Sequence, residues 1–340
     1  MPNALNKKDK LGTLVSHESI ANVPWTLISP NKHGDWNSKR NESYTSYVSL
    51  GSKEKHERES TYIFNSYGRG VGTSRDAWLY NFSNEKINKN AQSLIKVFNS
   101  ELARWKKSGY KSDPKDFATR DKTLMSWSTS LYNSMRRKVE LVFSAESSRV
   151  AFYRPFVRQF LYFDDVLNNE HGRQDTFFPN PDLKNFGFYI SGLGSVKEFS
   201  SLIIDKTPDV NFWGSEGGQF FPRFTYNISS KNPDLFTQET VENFQPIDNV
   251  SSSAVTTFSE QLGFKVTKDQ IFYYTYAILN CPEYRNMFVT DLKKMMPRIP
   301  ISSNFELFAD LGKSLSDLHL KFDEIEEYPL SEKWDGQKNY

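Results

Sequence analysis

The spacing of apolar residues changes along the chain, and each change predicts a different kind of element. After Ser83, the residues Ile87, Ala91, Leu94, Ile95, Phe98, Leu102 and Trp105 recur at intervals of three and four, which is the period of an amphipathic helix. Ser83 is placed to cap its start, Lys86 stands where a capping box would carry an acid, and Ser108-Gly109 can end it after about six turns. A second amphipathic stretch is predicted from about 118 to 137, with Leu124, Trp127, Leu131, Tyr132 and Met135 on one face. Arg136, Arg137 and Lys138 at its end complement the helix dipole. The two form a helical pair over about 83–138.

From 139 to 226 the helical period gives way to short runs of Phe, Tyr, Val and Ile broken by Gly, Pro, Asn and Asp. The runs at 139–143, 150–156, 186–190, 199–204 and 219–226 predict strands of a mixed sheet. Residues 227–253 lack periodicity and read as a long surface loop. Three helical segments follow, at 255–262, at 268–279 extended past Pro282 to about 294, and at 305–326.

Upstream, residues 1–20 are polar and read as a loose lead-in without a start signal, as a cut end would. Residues 23–62 suggest short strands and loops around Trp25, Trp36, Tyr44 and Tyr47, and the charge run 53–59 reads as a solvated turn. Residues 62–82 predict a strand, a bend at Gly68, Gly70 and Gly72, and a second strand. The fold class is therefore α+β: a mixed β-sheet core with a helical pair inserted before it and a helical C-terminal part. No internal repeat is apparent.

Composition sharpens this picture. Aromatic residues are 15% of the 340 residues while all hydrophobic residues together are 37%, so the core must be built largely from rings. The single cysteine, Cys281, has no partner for an internal disulfide, which fits a reducing, cytoplasmic setting. No apolar window is long enough for a membrane span, and the first residues carry no secretory signal. The net charge of +2 hides a division: up to Phe160 there are 27 Lys and Arg against 15 Asp and Glu, and beyond it 16 against 26. A half-chain of net +12 suits a polyanion, because cations close to phosphates release counterions; solvated lysine-rich helices are the alternative.

Motifs for several chemistries are missing. There is no Asn- or Asp-Pro-Pro-aromatic loop to hold a flipped adenine, no GxxxxGK[ST] and no GxGxxG. The glycines from Gly68 to Gly72 serve a backbone bend, which leaves Arg69 or Arg75 available to a phosphate. The histidines, His33, His56, His171 and His319 among them, show no HxH or HxxxH ligand spacing. Pro208-Asp209 with Asp291-Leu292-Lys293 matches a metal-nuclease pattern formally, but places its second half on a helix where a strand is wanted. Ser191 to Ser195 carries no serine at the centre of a GxSxG elbow.

What remains is basic and amide side chains on loops and short strands. Arg154, Arg158, Arg173, Gln174, Gln219 and Arg223 are of types that pair bidentately with guanine or adenine edges, whereas Lys206 and the helical Lys106 and Lys107 can hold phosphate. Arg69 and Arg75 complete the set of candidate contacts. A metal-dependent nuclease using Asp209, Asp291 and Lys293, and a protein-interaction fragment that does not bind DNA, stay open as alternatives.

Seven strings occur in an order that carries a resemblance: WTLISPNKHGDW at 25–36, GVGTSRDAWLYNF at 70–82, FYRPF at 152–156, DKTPDVNF at 205–212, QFFPRFTY at 219–226, IFYYTYAILNCPEYR at 271–285 and MPRIP at 296–300. The chain resembles the C-terminal region of type ISP restriction-modification enzymes of bacteria, from about 11 to 330. In that family one polypeptide joins a nuclease, an ATPase motor, a coupler, an adenine methyltransferase and a target-recognition domain. The resemblance implies that residues 1–30 are the trailing edge of a methyltransferase domain, 31–330 a target-recognition domain, and 331–340 a tail. It implies double-stranded DNA and the parent's methyltransferase domain as partners, no membrane, and no catalysis by this chain alone. Cofactors are implied for the parent only: S-adenosylmethionine, ATP and Mg. It also implies that Arg154 and Arg223 are held in buried pairs with Asp205 or Asp209, with base-reading residues in the loops 168–180 or 213–218.

Overall fold

The computed structural model describes residues 6–37, 39–52, 61–214, 217–230, 242–326 and 329. The charge run 53–59 and the tail 331–340 lie outside them. The chain divides into two units, 1–41 and 42–340.

In the first unit the expected loose lead-in is instead a helix, Lys7–Ser16, begun by Asn6, whose side chain accepts from the backbone of Asp9. Asparagine at this position satisfies a backbone donor that the helix cannot, and this single cap starts a helix that apolar periodicity does not mark. None of its residues is buried. Further on, Asn31 accepts from the backbone of His33 and Asp35, and Arg40 closes the turn on Asp35 at 2.8 Å.

In the second unit, the long helix Asn84–Lys107 buries all seven of the positions its periodicity marked, and Ser83 caps it by accepting from Lys86. It packs on a four-stranded sheet ordered Tyr80–Asn81, Val157–Tyr162, Ser148–Arg154 and Thr207–Pro208. The first three strands are antiparallel and the last is parallel, so the sheet is mixed.

The second member of the helical pair is much shorter than its periodicity predicts. Only Pro114–Phe117 and Thr129–Arg136 are helical. Between them the Asp121 side chain accepts from both the backbone and the hydroxyl of Thr123, and the Ser126 carbonyl is taken by Arg75. Local side-chain bonds of this kind compete with the helical ladder. Residues 139–143 form no strand either. There the backbone of Leu141 donates to and accepts from the Asn99 side chain, a two-bond clip that stands in for a neighbouring strand.

A three-stranded antiparallel sheet, ordered Ser201–Ile204, Gly187–Ile190 and Gln219–Pro222, divides two cores. Phe188, Ile190, Ile203 and Phe221 face the C-terminal helices, and Tyr189, Leu202, Ile204 and Phe220 face a second aromatic cluster, the two-residue alternation of a strand buried on both sides. The helices are Ser252–Leu262, Lys268–Asn280, Pro282–Met287, Val289–Lys294 and Phe305–Leu320. The stretch expected to run from 268 to 294 is thus broken at Cys281, where proline starts a new helix, and again at Phe288. A Cβ on Gly312 would lie 2.0 Å from the Tyr273 carbonyl, so the close pairing of Phe305–Leu320 with Lys268–Asn280 depends on that glycine.

The predicted loop at 227–253 is corrected in part. Phe224–Ser230 and Glu242–Asp248 pair in an antiparallel hairpin through seven registered positions, while 231–241 lie outside the described residues. The second strand carries Asn243, Gln245, Pro246 and Asp248, so no apolar alternation announced it.

Candidate nucleic-acid interface

Three segments meet at the glycine bend. Gly68 bridges to Phe220, Val71 to Asp209 and Gly72 to Glu170. The contact is backbone to backbone: a Cβ on Gly68 would lie 2.1 Å from the Gly172 carbonyl, and one on Gly172 would lie 2.1 Å from the carbonyl of Arg69. Glycine is required at both places because any side chain would separate the segments. The loop 169–174 is further held by Gln174, which is fully buried and donates to the Arg69 carbonyl at 2.8 Å.

This junction presents several of the sequence-marked residues together. Arg69, with nearly half its side chain exposed, pairs with Glu170 at 2.9 Å. Arg173 is exposed, sits at φ 70°, and makes no ion pair among the described residues. Gln219 is half-buried at the start of its strand. Nearby, Lys197 donates to the Trp213 carbonyl at 2.6 Å. Asn169, Glu170 and Asn211 share a cleft with Gly72, Thr73 and Asp76. The sequence singled out the loop 168–180 but not Asn169 or Glu170, whose only signal was their place in it.

Other marked residues are engaged by partners within the protein, and two of them, Arg75 and Arg223, are buried. Arg75 is 3% exposed and donates to the carbonyls of Ser126 and Leu167 and to the Ser128 hydroxyl. Burial drags its pKa from 12.5 to about 10. Arg154 stacks on Tyr153 and pairs with Asp209 at 2.8 Å. Burial, reinforced by Asp76, pushes the Asp209 carboxyl from 3.8 up to about 6. Arg223 is 4% exposed and is clasped by Asp248 and Asp269, not by Asp205 or Asp209. Arg158 takes Asp205 and Asp323 and lies against Phe322, which anchors the end of the last helix.

Lys206 lines a separate groove of about 340 Å³ with Arg149, Phe178 and Asn180. Lys106 and Lys107 are exposed on the last turn of Asn84–Lys107. The nuclease constellation does not assemble as a site. Asp209 belongs to the Arg154 pair, whereas Asp291 is buried close to Tyr44 and Tyr284. Among the described residues no trio of His, Cys, Asp or Glu gathers to hold a metal ion. Nor is any helix among them long and apolar enough to cross a membrane.

Comparison with known proteins matches residues 62–339 to a family described as the Type ISP C-terminal specificity domain. Among solved structures, the chain is similar to a nuclease-deletion mutant of the Type ISP restriction-modification enzyme LlaGI in complex with a DNA substrate mimic, at 33% identity and a TM-score of 0.76, covering 98% of this chain and 28% of that one. It is also similar to the ATP-dependent Type ISP enzyme LlaBIII bound to DNA, at 26% identity and a TM-score of 0.78, covering 97% of this chain and 20% of that one. The DrdV–DNA complex, at 21% identity and a TM-score of 0.77, shares the fold. The chain thus spans less than a third of the length of the structures it matches. Among curated proteins no relative matches.

Proposed function

Because the chain belongs to the Type ISP C-terminal specificity domain family, we propose that it selects a specific duplex DNA sequence on behalf of a larger single-chain restriction-modification enzyme. The observation that carries this reading is the whole-chain similarity to LlaGI, an enzyme seen with a DNA substrate mimic. The loop junction supports it, because Arg69, Arg173 and Asn169 lie on loops braced by backbone contacts, as base-reading side chains must be. An arginine fork suits the two acceptors of guanine, and an amide suits the acceptor and donor of adenine. Lysines of the helical part contribute position without sequence preference.

Adenine methylation, ATP-driven movement along DNA and DNA cleavage belong on this reading to the parent polypeptide, with S-adenosylmethionine, ATP and Mg as its cofactors. Residues 1–30 then continue its methyltransferase domain and 31–330 form the recognition domain, acting in the bacterial cytoplasm. The test is selection on a randomised duplex library. Enrichment of one short motif is expected, and a flat outcome overturns the reading. Plasmid incubated with the chain and Mg²⁺ is expected to stay intact.

A further inference from the structure

The excess positive charge of the first half is concentrated in one place. Between 104 and 138 there are ten Lys and Arg against three Asp. Few of these cations are neutralised: Arg104 pairs with Glu101, Arg136 takes Asp113 in a two-pronged pair, and Lys138 lies over the Tyr110 ring. Lys106, Lys107, Lys111, Lys115, Arg120 and Lys122 are all exposed and make no ion pair among the described residues.

Lys115, Arg120 and Lys122 are also gathered around a shape. With Thr119, Trp127 and Tyr132 they line a groove of about 430 Å³, in which Asp116 is the acidic residue. Its wall is stiff, because the rings of Trp127 and Tyr132 stack at 5.2 Å with planes 10° apart. The position of the groove is fixed relative to the loop junction. Buried Arg75 ties Ser126 and Ser128 to Leu167, the Ser126 hydroxyl donates to the Ser74 carbonyl at 3.2 Å, and the Ser130 hydroxyl donates to Asn169 at 3.3 Å. Asn169 is one of the junction residues, so the segment that lines the groove is tied by direct hydrogen bonds to the junction.

We propose that the groove of Lys115, Arg120 and Lys122 is a second, sequence-independent contact that holds backbone phosphates of the same duplex whose bases the junction reads. This rests on the proposed function. The groove is the chemical opposite of the junction: it is lined by three flexible or forked cations and by hydroxyl side chains, which suit phosphate oxygens, and by no amide. Its role is to fix register, so that the loop residues meet one face of the DNA.

The test compares the full chain with its K115Q/R120Q/K122Q variant, and with K313Q/K321Q, on the last helix and at its C-terminal cap, as a control for charge loss elsewhere. Binding is measured to the selected duplex and to a scrambled one across a salt series. The groove variant is expected to bind both duplexes about tenfold or more weakly, with the slope of log K against log salt shallower by about 2 to 3, at roughly 0.9 for each phosphate no longer neutralised. The ratio between the two duplexes should persist, and so should the melting temperature, since the replaced side chains are exposed. An unchanged slope in the groove variant, with wild type still preferring its sequence, overturns the groove and leaves the proposed function standing. Equal slope changes in the control variant also overturn it. If wild type itself shows no preference between the duplexes, the proposed function falls and the groove's assigned role falls with it.

Discussion

Replacing Arg75 by Met separates two roles that the sequence could not distinguish, a phosphate contact and a buried brace. The side chain is 3% exposed and satisfies three acceptors, the Ser126 and Leu167 carbonyls and the Ser128 hydroxyl. Methionine keeps most of the apolar stem and strands all three, at about 1–3 kcal/mol each. Against this, a buried cation is removed: the fall in pKa from 12.5 to about 10 corresponds to about 3 kcal/mol of charge desolvation recovered, at about 1.4 kcal/mol per pKa unit. The expected net loss is about 3 kcal/mol in the middle of the range. Urea denaturation, read as a shift in midpoint at constant slope, measures it. Hydrogen exchange should localise the loosening to 126–130 and 167–170, the two segments the guanidinium joins. A variant within about 0.5 kcal/mol of wild type that nonetheless binds DNA poorly would refute the brace and return Arg75 to the surface as a phosphate ligand.

Other consequences follow from the same geometry. Arg173→Ala should relax preference at one base pair by about 1–3 kcal/mol without loss of stability, read on a duplex library, whereas Gln174→Ala should lower stability because Gln174 is buried against the Arg69 carbonyl. The Asp209 carboxyl binds its proton more tightly folded than unfolded, with a pKa of about 6 against 3.8, so its contribution to stability is greatest below pH 3.8 and is lost as pH rises through about 6. Asp209→Asn should remove this dependence, gaining about 2–3 kcal/mol on wild type between acid and neutral pH; parallel stability curves for the two proteins would contradict it. Gly312→Ala should cost about 1–3 kcal/mol or more by forcing Phe305–Leu320 away from Tyr273, measured as a drop in melting midpoint.

The long helix was legible residue by residue, because an isolated 3.6-residue period with a serine at its start has one favourable reading: all seven marked positions are buried and Ser83 caps as expected. The strands at Gly187–Ile190, Ser201–Ile204 and Gln219–Pro222 were legible for a similar reason, as aromatic and branched residues bounded by turn formers. The ordered strings also pointed to the family that the comparison identified. The chain could not state which cations face out. Arg75 and Arg173 are the same residue type, and only partners brought together from 126–128 and 167 turn the first inward. The same limit explains the failed helix over 118–128 and the missing strand at 139–143. Local periodicity favoured both elements, but the Ser126 carbonyl found Arg75 and the Leu141 backbone found Asn99, each from a distant part of the sequence. The glycine bend is legible as a bend, yet its purpose lies in Gly172, about a hundred residues away, against whose carbonyl no side chain at Gly68 could fit. Local pattern therefore determined the regular elements, and long-range hydrogen bonding and backbone approach decided which polar residues are left to meet a ligand.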